Sequence, residues 1–219
     1  MNSKVYSGMK KTLSSMTIND VIQIEKSDPQ FQAIKELSTY YKDKRVSFVK
    51  LVVINALLSY QLPMRGEEYW KRFSEFFSVH SRIEDFPEFL KLNNYRLLKT
   101  RLKRFEKVKR AVDEIFKTEN DVEIAMKDIK GLLDKLSKAL KQRKDAKTVV
   151  FAIKMFIYAC RTMYDENLTA PKGIFIPMDS RIRSISEDKN FWKRLEEETG
   201  IPLIHIDAVL WLSHKKWKV

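Results

Sequence analysis

Phe48-Val-Lys-Leu-Val-Val-Ile-Asn-Ala-Leu-Leu58 is apolar at nearly every position. A helix that is apolar all round must be packed all round, so this stretch predicts a helix buried at the centre of the molecule. Outward from it, apolar residues keep helical spacing in both directions, and strict alternation of apolar and polar residues is almost absent. Upstream, Asp28-Pro29 reads as a helix start, because aspartate accepts from first-turn amides and proline fits the first helical position. Phe31, Ile34, Leu37 and Tyr41 follow at helical intervals. Downstream, Pro63 and Gly66 mark a loop, and Glu67 to Phe77 is a helix with Trp70, Phe73 and Phe77 on one face. Asp85 and Pro87 repeat the start signal. Leu97 to Phe116 is a long basic helix, and Val122 to Leu140 is a helical stretch expected to bend at Gly131. Lys141 to Lys147 is a polar turn, and the apolar helix after it ends near Arg161. Asn167 to Pro177 is an extended loop, and Asp179 opens the next helix. Gly200-Ile-Pro202 closes the helix of Phe191 to Thr199, and His205 to Trp211 forms the last one. The expectation is an all-α protein of roughly ten helices.

The chain has 219 residues, of which 44% are apolar, so a substantial core is expected. Lys and Arg number 42 against 29 Asp and Glu, a net charge of +13. Such a balance favours a polyanionic partner, nucleic acid ahead of an anionic membrane; a lysine-rich heat-adapted protein is the bland alternative. The single cysteine, Cys160, excludes an intrachain disulfide and a cysteine cage for zinc or iron–sulfur. His80, His205 and His214 lack metal-ligand spacing, and no metal or organic cofactor is expected. The N-terminal stretch has no signal-peptide core. Thr148 to Cys160 is too short to span a bilayer and carries Lys154 in its middle. The expected protein is a cytoplasmic monomer without a membrane partner.

Three segments carry groups with chemical potential. Lys147, Phe151 and Lys154 fall at i, i+4 and i+7 on one helical face. Lys147 opens its helix beside Arg143 and Lys144, where the positive helix end would disfavour the ammonium form and provide an amine for Schiff-base chemistry. Lys154 sits among apolar residues, where a lysine is costly unless paired or used. The plain alternatives are a solvated turn lysine and a lysine that reaches the surface. In Ile174-Phe-Ile-Pro177-Met-Asp179, an extended apolar run delivers one carboxylate to a helix start, as catalyst or as ordinary cap. Asp207 and Trp211 are one turn apart, a pairing suited to holding a purine, or else a core tryptophan beside an exposed aspartate. The basic stretch Arg96 to Arg110 is either a solvated face or a phosphate contact.

Taken together, Asp28-Pro-Gln30, Asn55-Ala-Leu-Leu-Ser-Tyr60, Gly66-Glu-Glu-Tyr-Trp70, Lys147-Thr-Val-Val-Phe151 and Ile201-Pro202 through Asp207 to Leu212 resemble the archaeal GO glycosylases. These are divergent helix-hairpin-helix base-excision enzymes specific for 8-oxoguanine. The resemblance runs from about Thr17 to Trp211, with Ile176-Pro-Met-Asp179 in register. It implies Lys147 as the catalytic lysine after the hairpin and Asp179 as the helix-capping catalytic aspartate. It also implies a base pocket drawing on Gln30, Trp70, Phe151, Lys154, Pro177, Asp207 and Trp211. Leu132 to Ala146 is longer than the Gly-rich hairpin of the wider superfamily, as expected for the archaeal family. The implied architecture is bilobal, with a cleft between a lobe of residues 1–62 plus 178–219 and a lobe of residues 63–177. DNA containing 8-oxoguanine is the expected partner, with Arg143 and Lys144 on its backbone. The implied reaction is base excision through a lysine Schiff base, followed by β-elimination. The rivals are the same chemistry on another damaged base, a non-enzymatic all-α DNA-binding protein, and a helical partner-binding module.

Overall fold

The computed structural model describes residues 3–212, with side chains from residue 4 to residue 210. Helix α1 spans Ser3–Ser14, α2 Ile18–Lys26, α3 Pro29–Ser38, α4 Arg45–Leu58 and α5 Gly66–Val79. A 3-10 turn at Ile83–Asp85 leads into α6, Phe86–Asn93, and then come α7, Leu98–Ile115, α8, Glu119–Lys127, and α9, Ile129–Leu140. The last four are α10, Lys147–Met163, α11, Ser180–Ile185, α12, Lys189–Thr199, and α13, Leu203–Leu212. The described residues contain no strand, so the fold is all-α. Among the described residues, thirteen α-helices stand where about ten were expected. Two of the extra helices are α1 and α2; the third comes from Val122 to Leu140, which is two helices rather than one bent helix.

That division has a local cause. Asp128 closes α8 in a non-helical conformation and caps α9, accepting from the Gly131 amide at 2.8 Å. A Cβ on Gly131 would lie 2.1 Å from the Asp128 carboxylate, so the glycine leaves room for the cap rather than bending a continuous helix. Elsewhere the start signals perform as read. Asp28 caps α3 with Pro29 in the first turn, and Gly200 ends α12 at φ +79°. Asp85 is an exception: it makes no side-chain cap and pairs with Arg82 instead.

At the centre α4 lies against α10, and both are buried along most of their length. The larger of two cores gathers α3 to α10 around this pair. The smaller joins α1 and α2 to Ile176, α11, α12 and α13. The expected lobes grouped residues 1–62 with 178–219, whereas the buried side chains of α3 and α4 belong to the larger core, because their apolar faces meet α5 and α10. Helix α1 docks on α12 through Tyr6, Met9 and Leu13, and the Tyr6 hydroxyl donates to Glu198 at 2.7 Å.

The basic helix α7 is engaged inward over much of its length. Arg101 is buried and donates to the carbonyls of Asn94 and Tyr60; Arg104 donates to Leu57 O, and Lys107 to Leu140 O. These cations satisfy carbonyls at the C-terminal ends of α4, α6 and α9, an attraction the helix dipole adds to. Lys99, Lys103 and Arg110 remain exposed.

A second polar group ties the two cores together. Arg161 of α10 meets Glu25 of α2 at 2.6 Å, and both side chains are almost fully buried. Glu25 also accepts from His205 Nδ1 of α13 at 3.1 Å, while His205 Nε2 accepts from the Ala170 amide, which places the ring proton on Nδ1. Burial pushes the Glu25 carboxyl up, but His205 and Arg161 outweigh it and hold it below the ordinary carboxylate value. Arg161→Met should therefore strand a buried carboxylate at a cost of about 3–5 kcal/mol. The readout is thermal unfolding, with a fall on the order of 10 °C expected for a domain this size. Because folding depresses this carboxyl, its contribution is present above the ordinary value of 4.5 and is lost as pH falls below it. In the variant, where His205 still holds Glu25 but Arg161 does not, that acid-linked loss should become smaller.

Candidate active site

A cleft of about 360 Å³ opens at the seam between the two cores. That volume is within the range of small-molecule sites. From the larger core, its wall is built by Gln30 at the start of α3, the 59–66 segment after α4, Trp70 of α5, and Lys147, Phe151 and Lys154 along one face of α10. From the other side come Pro177, Asp179 and Arg181, with Asp207 of α13. The helical spacing of Lys147, Phe151 and Lys154 is thus what lines one wall.

The two lysines have opposite surroundings. Lys154 is buried, with Asp207 Oδ2 at 2.6 Å and Asp28 Oδ2 at 3.6 Å. Burial alone would disfavour its ammonium, but Asp207 and Asp28 outweigh that and lift its pKa above the ordinary lysine value. It is a fixed cation. Burial, together with Asp179 and Asp28, pushes the Asp207 carboxyl up despite the ion pair. Lys147 instead stands exposed on the cleft wall in the first turn of α10. No ion pair of Lys147 forms among the described residues, although Arg143 is held by Asp145 and Lys144 by Asp134.

Asp179 caps α11 with a single oxygen. Its Oδ1 accepts from the amides of Arg181 and Ile182, both at 2.9 Å. The extended run before it is pinned by Glu196, which accepts from Gly173 N at 3.0 Å and from Leu203 N at 2.9 Å. Gly173 takes up φ +88° there, a conformation that suits glycine. Asp179 and Asp207 line the same cleft, and the Asp179 charge adds to the upward push on the Asp207 carboxyl.

Trp70 and Phe151 form an aromatic corner, with ring centroids 6.2 Å apart at 71°. Trp70 is fully buried, yet its indole Nε1–H has no acceptor among the described residues. The far wall, Leu57 to Leu62, is held from behind by Asn94, Arg96, Arg101 and Arg104, each donating to one of its carbonyls. Gln61 sits on this wall with φ +47°.

Of the residues singled out in the sequence, Lys147, Asp179, Gln30, Trp70, Phe151, Lys154, Pro177 and Asp207 all line this one cleft. Trp211 belongs to α13, but its side chain lies outside the described residues. Arg143 borders a neighbouring depression with Asp145, Arg183 and Lys189, reached past Lys147. Lys144 lies at neither and pairs with Asp134. Sequence reasoning missed Tyr158 and the 59–66 wall. Tyr158 lies one turn beyond Lys154, so its position on the lysine's face was there to be read. It missed Glu196 as well, because a carboxylate that accepts backbone amides from distant segments has no local signature.

The family model of AGOG, N-glycosylase/DNA lyase, matches residues 10–218. An N-glycosylase/DNA lyase of Thermococcus kodakarensis is 39% identical over 199 residues, covering 85% of this chain and 75% of that protein. One from Nanoarchaeum equitans is 38% identical, covering 92% of this chain and 87% of that protein. The crystal structure of Pa-AGOG, the 8-oxoguanine DNA glycosylase from Pyrobaculum aerophilum in complex with 8-oxoguanosine, superposes with a TM-score of 0.77 at 25% identity, covering 97% of this chain and 88% of that one. With the helix–turn–helix of α9 and α10 leading into Lys147, and with matches that span nearly its whole length, this chain belongs to the AGOG family of N-glycosylase/DNA lyases.

Proposed function

We propose that this protein excises 8-oxoguanine from DNA inside the cell and then cleaves the strand, with Lys147 as nucleophile and Asp179 as its carboxylate partner. The observation that carries the reading is that an unpaired lysine and a carboxylate anchored through one oxygen line the same cleft as an aromatic corner and a fixed cation.

The sugar carbon is inaccessible inside a duplex, so the damaged nucleotide must leave the stack and enter the cleft. Phe151 and Trp70 offer apolar faces to the base, with Trp211 as a further stacking group. Pro177, Gln30, Lys154 and Asp207 supply the edge contacts. 8-Oxoguanine differs from guanine by a proton on N7 and an oxygen on C8. An acceptor aimed at N7–H therefore discriminates, because it would meet the lone pair of an unmodified guanine.

Once the base is seated, Lys147 Nζ attacks C1′ while the C1′–N9 bond breaks and the base departs with a proton. Charge builds on the sugar ring, and the Asp179 oxygen not used in the helix cap stabilises it. Opening of the C1′–O4′ bond gives a Schiff base on Lys147. Loss of a C2′ proton then expels the 3′ phosphate by β-elimination, and water releases the enzyme. Lys154 cannot replace Lys147 as nucleophile, because two carboxylates hold it as an ammonium. Arg143 and Lys144 lie near the start of α10 and would reach the DNA backbone by exchanging their carboxylate partners for phosphates.

The direct test is incubation with labelled duplexes carrying 8-oxoguanine, guanine or other damaged bases at one position. Cutting confined to the 8-oxoguanine strand is expected. Binding without cutting, or equal cutting at guanine, would contradict the proposal. Trp70→Phe removes the indole donor. That N–H has no partner to lose among the described residues, but the ring is fully buried, so the smaller side chain should cost about 1–2 kcal/mol and lower the melting temperature by a few degrees. Excision should fall about tenfold in kcat/KM if that donor bonds a carbonyl oxygen of the base.

A further inference from the structure

Behind the cleft wall lies a carboxylate that does not line the cleft. Asp28 is 1% exposed and uses its two oxygens on two different helices. Its Oδ1 accepts from the backbone N–H of Gln30 at 2.9 Å, in the first turn of α3. Its Oδ2 accepts from the Tyr158 hydroxyl of α10 at 3.1 Å and lies 3.6 Å from Lys154 Nζ. Lys154 and Tyr158 are one turn apart, and the ammonium sits 5.3 Å from the centre of the Tyr158 ring. A helix cap needs only Oδ1, so the contacts of Oδ2 go beyond capping.

We propose that Asp28 is a positioning residue for recognition of the damaged base: one buried carboxylate holds Gln30 of α3 and Lys154 of α10 in a fixed mutual geometry. The inference rests on the proposed function and deepens it. Gln30 and Lys154 come from helices with no covalent reason to keep register, yet both line the cleft. A base read by two groups is discriminated only if their separation is fixed to within a fraction of a hydrogen-bond length. Asp28 supplies that link, and Tyr158 orients the linking oxygen. On the other side, the Gln30 carboxamide is confined by α5: a Cβ on Gly66 would stand 3.0 Å from Gln30 Nε2. A side chain at Gly66 would press on that amide and shift it by a few tenths of an ångström.

The test compares two substrates with each variant: a duplex carrying 8-oxoguanine, and one carrying a preformed abasic site. Cleavage at the abasic site uses Lys147 and Asp179 but has no base to read. Asp28→Asn keeps an oxygen to cap α3 and turns an amide donor toward Lys154. The ratio of 8-oxoguanine excision to abasic-site cleavage should fall about tenfold, the scale of one misplaced buried hydrogen bond. Tyr158→Phe, which removes only the hydroxyl, should lower the same ratio by a smaller factor. A purely structural role would reduce both rates together; a ratio within twofold of the parent in both variants overturns the proposal. A parent protein that cleaves neither substrate overturns the proposed function instead, and this inference with it.

Discussion

Lys147→Ala should retain the fold and lose both base excision and strand cleavage, by about a thousandfold or more. The side chain is exposed at the first turn of α10, so truncating it opens no cavity and strands no partner. Thermal unfolding should therefore be nearly unchanged while single-turnover cleavage of an 8-oxoguanine duplex collapses. Lys154→Ala should behave differently. It removes a buried cation from between Asp207 and Asp28 and should lower stability and base recognition together. Retention of strand cleavage in Lys147→Ala with its loss in Lys154→Ala would exchange the roles assigned to the two lysines.

Asp179→Asn should lower excision by about a hundred- to thousandfold, the range seen when one preorganised electrostatic group is removed from a reaction centre. The substitution is nearly isosteric, and asparagine caps helices as well as aspartate does. The Oδ1 bonds to Arg181 and Ile182 can persist, so α11 should stay formed. What disappears is the charge proposed to stabilise the sugar. The loss should fall on kcat, since Asp179 is assigned to the transition state and not to holding the base. An unchanged kcat with intact folding would reduce Asp179 to a cap and nothing more.

The fold was legible where a single helix carries its own signal. Phe48 to Leu58 announced a central helix because a helix with no polar face has nowhere else to go, and α4 is buried on all sides. Asp28-Pro29 and Gly200 marked helix ends because their chemistry acts within one turn. Helix α2 was missed although Thr17 and Asp20 form a reciprocal capping box, a pattern present in the sequence. The lobe boundary was not legible, because which face of α3 and α4 meets which neighbour is decided by packing partners far along the chain.

The site divided along the same line. The stripe of Lys147, Phe151 and Lys154 follows from helical spacing and lies along one cleft wall. The distinction between the two lysines could not be read, because it depends on Asp28 and Asp207, which lie more than a hundred and about fifty residues away from Lys154 respectively. The basic stretch of α7 read equally as a solvated face or a phosphate contact; Arg101 and Arg104 turn inward and Lys107 donates to Leu140 O, partners that no sequence pattern discloses.

The most direct measurement is borohydride reduction during reaction with an 8-oxoguanine duplex, followed by peptide mass spectrometry of the trapped complex. The account predicts a covalent protein–DNA adduct carried by the lysine at position 147 and absent when that lysine is replaced by alanine. An adduct on Lys154 or on any other amine, or a trapped complex undiminished in Lys147→Ala, would contradict it.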